Sequence, residues 1–570
     1  MTVAQQHTPN NGTAALARIA GTPKGPTPPR EALFAMRRAV DHYQQGDWAP
    51  AAIAAAEAAD IDAKYASAFH LLALALDNLG QRHQAFTMYE RALALDPHDA
   101  DLYLNIGTAA WGLHMFDGAD NAFRAYIEMR PDCPKGYNNL AGCLRDKGEM
   151  NAAIDLVRNA LFRMPEAAEL WNTLGTIMGE TCDFDGARTF YLEAQRLDPK
   201  MSRAFHNLGH ALSHVGPLDE AVANFTHALE LCELDADRAE TLHARGLSLL
   251  AMGKLAQGWA EYETRHNERF SQSSYFAVDA PRWEAEDLKG RKLLVAGEQG
   301  LGDEIMFAGM IPDLIERAGP EGKVMIACDH RLVPLFQRSF PQAHVGPEGH
   351  TKHNTKPVRV VQWARGELKP DFYTPMGSPL TQLRARVEDF PARAFLKPDP
   401  ARVRFWQDRL AALGPGPYVG ICWRSMLMTT QRKKLFSALE FWGPVLEKTS
   451  VKFVNLQYGD CRAELEFARE KFGAAIHDFE DLDLKNNLDD NAALCAALDL
   501  AVSAPTAAAA LAAAIGTETW FLTAGRVWPQ LGTDHYPWYA RTRVLMPGKF
   551  ADWPALMNRL AGELDAFAAH

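Results

Sequence analysis

Cysteine is scarce in this 570-residue chain, and none of it is paired in sequence. The eight cysteines (Cys133, Cys143, Cys182, Cys232, Cys328, Cys422, Cys461 and Cys495) form no CxxC and have no histidines at metal-ligand spacing. That excludes a zinc ribbon and a disulfide-stapled domain, and it fits buried thiols in a reducing compartment. Long apolar runs are also missing. The longest, Ala507–Ile515, falls well short of the ~20 residues that span a bilayer. Met1 to Arg30 lacks the continuous apolar stretch of a secretory signal. A cytoplasmic chain with no membrane span is expected. There is no basic excess: Lys+Arg 59 against Asp+Glu 71 give a formal charge of −12. This disfavours nucleic acid and anionic membrane as partners, while leaving room for a local basic pocket. Apolar content of 47% and charged content of 23% are those of a globular protein, and the length exceeds one core.

What the chain has in abundance is a beat of 34 residues. Tyr103, Tyr137, Trp171 and Phe205 keep this step, as do Ala85, Ala119, Ala153, Ala187 and Ala221, and Pro97, Pro131, Pro165 and Pro199. The period and residue types resemble the tetratricopeptide repeat (TPR). Each unit reads as a helix hairpin. Large residues at positions 4, 7, 11 and 24 fill the space between helices, and small ones at 8, 20 and 27 allow close approach. Gly80, Gly148 and Gly253 supply turns, and the closing proline ends the second helix. Units begin near 32, 66, 100, 134, 168 and 202, with a displaced seventh near 239. Asn105, Asn139 and Asn207 share one position on the groove-lining helix. They are either grips for the backbone of an extended peptide or residues common at that position.

Pro, Gly, Thr and Asn mark residues 1–30 as a disordered tail. After a polar junction at 271–290 the periodicity changes. Short apolar runs (Leu293 to Ala296, Val324 to Cys328, Tyr418 to Cys422, Val451 to Leu456, Leu498 to Val502, Thr519 to Leu522) alternate with helical segments such as Glu304 to Arg317 and Ala401 to Leu413. Alternating strand and helix predicts parallel α/β sheets. Two groups meet near Phe395 to Pro400. The expected architecture is multidomain: an all-α solenoid over 31–270, then two Rossmann-like halves over 271–395 and 396–570, with ligands at the strands' carboxyl ends. The helix from Trp553 to Phe567 is expected to pack back across the first half.

Three segments have the makings of a site. In Gly297-Glu298-Gln299-Gly300-Leu301-Gly302-Asp303, glycines between a strand and a helix permit backbone approach to a ligand. Asp303 reads either as a first-turn helix carboxylate or as a general base. Cys422-Trp423-Arg424-Ser425, followed by Gln431-Arg432-Lys433-Lys434, reads as a phosphate subsite or a solvated helix start. Ser503-Ala504-Pro505-Thr506 precedes an Ala-rich helix whose N-terminus suits a phosphate, and Gln457 and Tyr458 end a neighbouring strand where base or ribose would lie, or are ordinary loop residues. Asp183/Asp185 and Asp481/Asp483 have the spacing of a metal-binding pair, but read as turn residues, and no metal is expected. His535 and Tyr536 are placed to reach the cleft or to be structural.

Pro281-Arg282-Trp283, GEQGLGDEIMFA, GICWRS, NLQYGD, the 481–506 segment and LGTDHYPWY resemble bacterial TPR-linked glycosyltransferases of the two-Rossmann-domain (GT-B) type. They are distantly similar to heptosyltransferases and O-linked N-acetylglucosamine transferase, and most similar to the TPR flagellin glycosyltransferases. The resemblance implies a metal-independent protein O-glycosyltransferase that recruits flagellin through its repeats. It would transfer a nonulosonic acid from a nucleotide-sugar, with no further cofactor. It further implies Asp303 as base for the acceptor hydroxyl, and Gly300, Gly302, Arg424, Ser425, Gln457, Tyr458, Ser503 and Thr506 around the donor. Asn105, Asn139 and Asn207 would hold the acceptor protein. Two positions depart from the pattern: Pro505 stands for Asp, and Ala510 for the His four residues after Thr506. The departures disfavour a heptose or UDP-N-acetylglucosamine donor and leave room for a CMP-sugar. They also leave open a catalytically degenerate scaffold or chaperone, and a transferase acting on a saccharide is a further reading.

Overall fold

A computed structural model describes residues 27–353, 356–426, 428 and 430–569. The tail expected over 1–30 lies outside these except for its last residues, and the first helix opens at Arg30. The chain forms two compact units divided between Ala204 and Phe205, inside the helix Ser202–Val215. The helices of 205–270 therefore belong with the α/β halves.

In the first unit the helices run in antiparallel pairs, and the 34-residue beat has a direct physical cause. The alanines at position 20 (Ala51, Ala85, Ala119, Ala153 and Ala187) are all fully buried where the hairpin helices touch. The glycines at position 8 serve the same contact: a Cβ on Gly107 would sit 2.5 Å from the Phe123 ring, and one on Gly175 would sit 2.7 Å from Tyr191. The aromatics at position 4 answer the closing prolines. Tyr103 Oη, Tyr137 Oη and Trp171 Nε1 donate to the carbonyls of Pro97, Pro131 and Pro165 at 3.3, 3.0 and 2.7 Å. Each binds the start of one unit to the end of the last. The turn position takes a left-handed backbone at Gly46, Gly80 and Gly148, and also at His114 and Cys182, where it costs about 1–2 kcal/mol.

The second unit carries two parallel sheets. The first runs β4–β3–β2–β7 (β2 Lys292–Ala296, β3 Lys323–Cys328, β4 His344–Pro347, β7 Phe372–Pro375). The second runs β10–β9–β8–β11–β12–β13 (β8 Tyr418–Cys422, β9 Lys452–Asn455, β10 Ile476–His477, β11 Leu500–Ser503, β12 Glu518–Leu522, β13 Thr542–Leu545). In sequence order the second is a 3-2-1-4-5-6 sheet, the doubly wound arrangement, and the first has the order 3-2-1-4. β1 (Tyr275–Ala277), β5 (Gly349–His353) and β6 (Lys356–Val360) make a small separate sheet. The central strands are buried on both faces, which is why they read as continuous apolar runs. The polar-edged strands β4, β7, β10 and β13 gave no such signal.

Two expectations are corrected. The helix expected from Glu304 to Arg317 is interrupted: Leu301–Phe307 and Ile311–Ala318 are separated by a 3₁₀ turn at Ala308–Met310, with Pro312 in the first turn of the second helix. The terminal helix Trp553–Ala568 packs in its own half, its Leu556, Met557, Leu560 and Leu564 sharing a core with Trp442, Val445 and Trp520. Its apolar stripe covers the near face of the second sheet.

The last solenoid hairpin joins the core of both halves. Trp259 is buried against Tyr262, Trp528 and Trp538, with ring centroids 5.9–6.1 Å apart, and its Nε1 donates to the Arg384 carbonyl at 2.8 Å.

Candidate active site

At the carboxyl ends of both sheets lies a cavity of about 430 Å³. Gly300, Leu301, Gly302, Asp303 and Met306 line it from the first half, and Ser425, Arg432, Tyr458, Pro505, Thr506 and Ala507 from the second. Two helix N-termini converge here. A Cβ on Gly302 would stand 3.7 Å from the Ala507 nitrogen, so the helices Leu301–Phe307 and Ala507–Ile515 nearly touch end to end. The second has no side-chain cap from Thr506, and a helix N-terminus of this kind favours an anion.

Asp303 is half-buried at the mouth of the first helix, and Gly300 N–H donates to its Oδ2 at 3.2 Å. The first-turn carboxylate reading is thus realised in the geometry. The same carboxyl also faces the cavity. Burial pushes its pKa up, the Gly300 N–H draws it down, and the Glu298 charge adds to the rise, bringing it to about 6. A carboxylate tuned to that range is ionised at neutral pH and more basic than a solvated one.

The structure brings Gly300, Gly302, Asp303, Ser425, Tyr458 and Thr506 to one cavity and holds three other expected residues behind it. Arg424 Nε donates to Glu464 Oε1 at 2.7 Å, its Nη2 is bonded to the same carboxylate, and its charge is spent there. Gln457 is buried and shapes the loop: its Oε1 accepts from the N–H groups of Trp423 and Arg424 at 3.1 and 3.0 Å, and its Nε2 donates to the Arg424 carbonyl at 3.0 Å. Ser503 is fully buried, its Oγ bonded to the Ala504 carbonyl at 2.7 Å. Arg432, from the cation run, is the residue that lines the cavity, and its Nη1 reaches Ser425 Oγ at 3.2 Å. Both departures from the family pattern, Pro505 and Ala510, face the cavity. Tyr536 lines it too, whereas His535 turns to Asp534, 2.9 Å away.

Sequence reasoning passed over Arg331 and Lys485, which line the cavity from opposite halves and meet through an Arg331 Nη1 bond to the Lys485 carbonyl at 3.1 Å. Arg331 lies three residues past the end of β3, and the rule that ligands sit beyond strand carboxyl ends would have singled it out. Lys485 is a lone cation in an acid-rich loop and carried no signal. The carboxylate pairs at metal-like spacing serve turns and caps: Asp183 accepts from Gly186 N–H, Asp481 pairs with Arg409, and Asp483 accepts from the N–H groups of Lys485 and Asn486. Among the described residues, no three His, Cys, Asp or Glu side chains gather as a metal-ligand set.

In the solenoid, Asn105 is buried and its Nδ2 lies 2.8 Å from His70 Nε2, so its polar group is engaged between neighbouring repeats. Thr173 occupies the equivalent position and bonds Asn138 in the same way. Asn139 and Asn207 are half-buried. Where Asn105 has His70, 35 residues earlier in the preceding repeat, the matching position for Asn139 holds Leu104, which has no polar side chain.

Behind Asp303 the carboxyls of Glu304 and Glu348 are buried around one guanidinium. Arg359 Nη1 bonds Glu348 and lies 3.6 Å from Glu304 Oε1. Burial, then the Glu348 charge, pushes Glu304 up to about 8, and burial raises Glu348 to about 7 against the pull of Arg359. Both folded values exceed the unfolded ones, so this stabilisation is complete in acid and is lost as pH rises from about 4.5 through 8. Glu304→Gln is expected to lose less stability than the wild-type chain between pH 5 and 8.5. At the upper end it should be the more stable by on the order of 2 kcal/mol, read from urea melts across pH. A parallel pH dependence in the two proteins would refute the assignment.

The tetratricopeptide repeat model matches residues 66–99 and 202–233. Among solved structures, the chain is similar to TTC0263, a TPR protein of Thermus thermophilus (24% identity, 31% of this chain and 98% of that one, TM-score 0.28). No helix of the described residues is long and apolar enough to cross a membrane. A 25% identical match to the human protein O-mannosyl-transferase TMTC1 spans 27% of this chain and 18% of that protein, too little to bring its activity with it. Protein FlbA of Caulobacter vibrioides is 39% identical over 535 residues, 94% of this chain and 90% of that protein. At that identity and over that share of both proteins, the chain belongs to the FlbA family.

Proposed function

We propose that this protein is an O-glycosyltransferase that recruits a protein acceptor, flagellin, through its solenoid. It transfers a nonulosonic acid from a CMP-linked donor to a serine or threonine hydroxyl. The observation that carries the reading is the cavity in which the Asp303 carboxyl, at a pKa of about 6, stands across from an uncapped helix N-terminus with Arg432 and Ser425 beside it. A glycosyl transfer needs a base on one side of the anomeric carbon and anion stabilisation on the other. Asp303 takes the hydroxyl proton as the acceptor oxygen bonds the anomeric carbon. The bond from that carbon to the phosphate oxygen breaks, and its electron pair leaves on the phosphate. The Ala507 and Ala508 amides, Thr506, Ser425 and Arg432 receive that charge, while Arg424 and Gln457 shape the loop that carries Ser425.

Flagellin and the sugar class rest on the family resemblance, and the donor on Pro505 and Ala510, which remove two polar side chains from the cavity wall. The same losses favour a second reading, a flagellin-binding scaffold without turnover. Purified chain incubated with flagellin and CMP-nonulosonic acid separates the two by intact mass. One or more sugar increments that are absent with UDP-N-acetylglucosamine are expected. Bound but unmodified flagellin would select the scaffold.

A further inference from the structure

The loop that presents Asp303 is not held by its own half alone. Gln299 has a left-handed backbone, φ 60°, which is costly for a residue with a Cβ and persists only where its surroundings impose it. Two bonds impose it here. Gln299 Nε2 donates to Tyr262 Oη at 2.7 Å, and Arg359 Nη2 donates to the Gln299 carbonyl at 2.8 Å. The preceding residue is gripped more tightly. Arg265 meets Glu298 with a fork of two bonds, Nε to Oε2 at 2.8 Å and Nη2 to Oε1 at 3.0 Å, and His266 Nε2 lies 3.5 Å from the same carboxylate. The Arg265 guanidinium stacks over the Tyr262 ring at 4.2 Å and bonds the Tyr262 carbonyl, so the two gripping residues are fixed to each other. Tyr262, Arg265 and Glu298 are all 2–4% exposed. Tyr262 closes the last solenoid helix, Leu255–Tyr262, and Arg265 sits in the 3₁₀ turn that follows it.

We propose that the end of the solenoid is a working part of the active site: Tyr262 and Arg265 are positioning residues that hold the Glu298–Gln299 step, and through it the Gly300–Asp303 turn, in the conformation that aims Asp303 into the cavity. The structural half of this statement stands on the bonds above, and its consequence for turnover rests on the transferase reading. The solenoid then does two jobs. Its repeats hold a protein, and its final turn completes the catalytic loop. A buried, bidentate charged pair suits such a role because its geometry tolerates little displacement. The Tyr262 hydroxyl suits it because one atom can be removed without disturbing the ring packing.

Tyr262→Phe in the full-length chain is the test, with Arg265→Lys, which keeps the charge and loses the fork, as the second variant. Hydrogen exchange of the 296–304 segment is expected to quicken in both, while segments within 205–250 exchange as in the wild type. In the transfer assay kcat should fall roughly ten- to a hundred-fold, with KM for flagellin and for the CMP-sugar unchanged, as for a misplaced catalytic group. Unchanged exchange at 296–304 overturns the proposal, and so does a loosened loop with unchanged kcat. If the wild-type chain transfers nothing, the functional reading fails by itself, and the exchange measurement still decides whether the solenoid end holds the loop.

Discussion

Asp303→Asn is expected to reduce transfer to flagellin by about 10²–10⁴-fold, the usual contribution of a general base, while flagellin and donor binding persist. Asparagine keeps the size of the side chain, and its Oδ1 can still accept from the Gly300 N–H that now bonds Asp303 at 3.2 Å, so the helix start survives and only the basicity goes. The pH profile supplies a signature that a structural defect would not mimic. The carboxyl is raised to about 6, chiefly by burial, and is active when ionised. The wild-type rate should therefore climb about tenfold per pH unit below 6, level off above it, and have its inflection near 6 rather than in the ordinary carboxylate range. The residual rate of Asp303→Asn should lack that limb. Stability provides an independent sign. A raised folded pKa means that ionisation works against folding, so the variant should be no less stable than the wild type at pH 8. Retention of the full rate by Asp303→Asn would move the base elsewhere in the cavity.

The second large effect is structural. Trp259→Ala is expected to cost about 3–5 kcal/mol, the range for a large aromatic removed from a packed core. Trp259 is 1% exposed and touches the solenoid end through Tyr262 and the second half through Trp528 and Trp538. Its loss also leaves the Arg384 carbonyl without the indole N–H that now donates at 2.8 Å. Because both halves and the last hairpin share this core, the damage should appear in the thermal transition of the second unit, lowered by roughly 5 °C. Trp259→Phe keeps most of the volume and should lose far less. Differential scanning calorimetry reads both, and an unshifted transition for Trp259→Ala would contradict the packing described.

Much of the fold was legible because its determinants are local or repeat at fixed distance. The alanines and glycines of the solenoid recur every 34 residues because the two helices of each unit meet through the same contacts. The central strands stood out as apolar runs because both of their faces are buried. Asp303 could be singled out because strand, glycine turn and helix follow one another directly in the chain. The edge strands, with polar residues and short spans, could not.

Which side chains face the cavity was a different matter. Arg424 and Arg432 are cations in the same stretch, but a carboxylate 40 residues away, Glu464, takes the first, while the second lines the cavity. Ser503 and Gln457 have the chemistry of ligand-binding residues and are spent on backbone groups beneath the site. Asn105 is engaged by His70 from the preceding repeat, and Gln299 by Tyr262 from the end of the solenoid. The sequence by itself determined the repeat, the two doubly wound halves and the turn that carries Asp303, since periodicity and short-range propensity encode these. Only the tertiary structure decided which polar groups remain to meet a ligand. Each hydrogen-bonding group is claimed by whatever partner the fold brings within about 3 Å, and for Asn105, Gln299 and Arg424 that partner lies 35, 37 and 40 residues away in the chain.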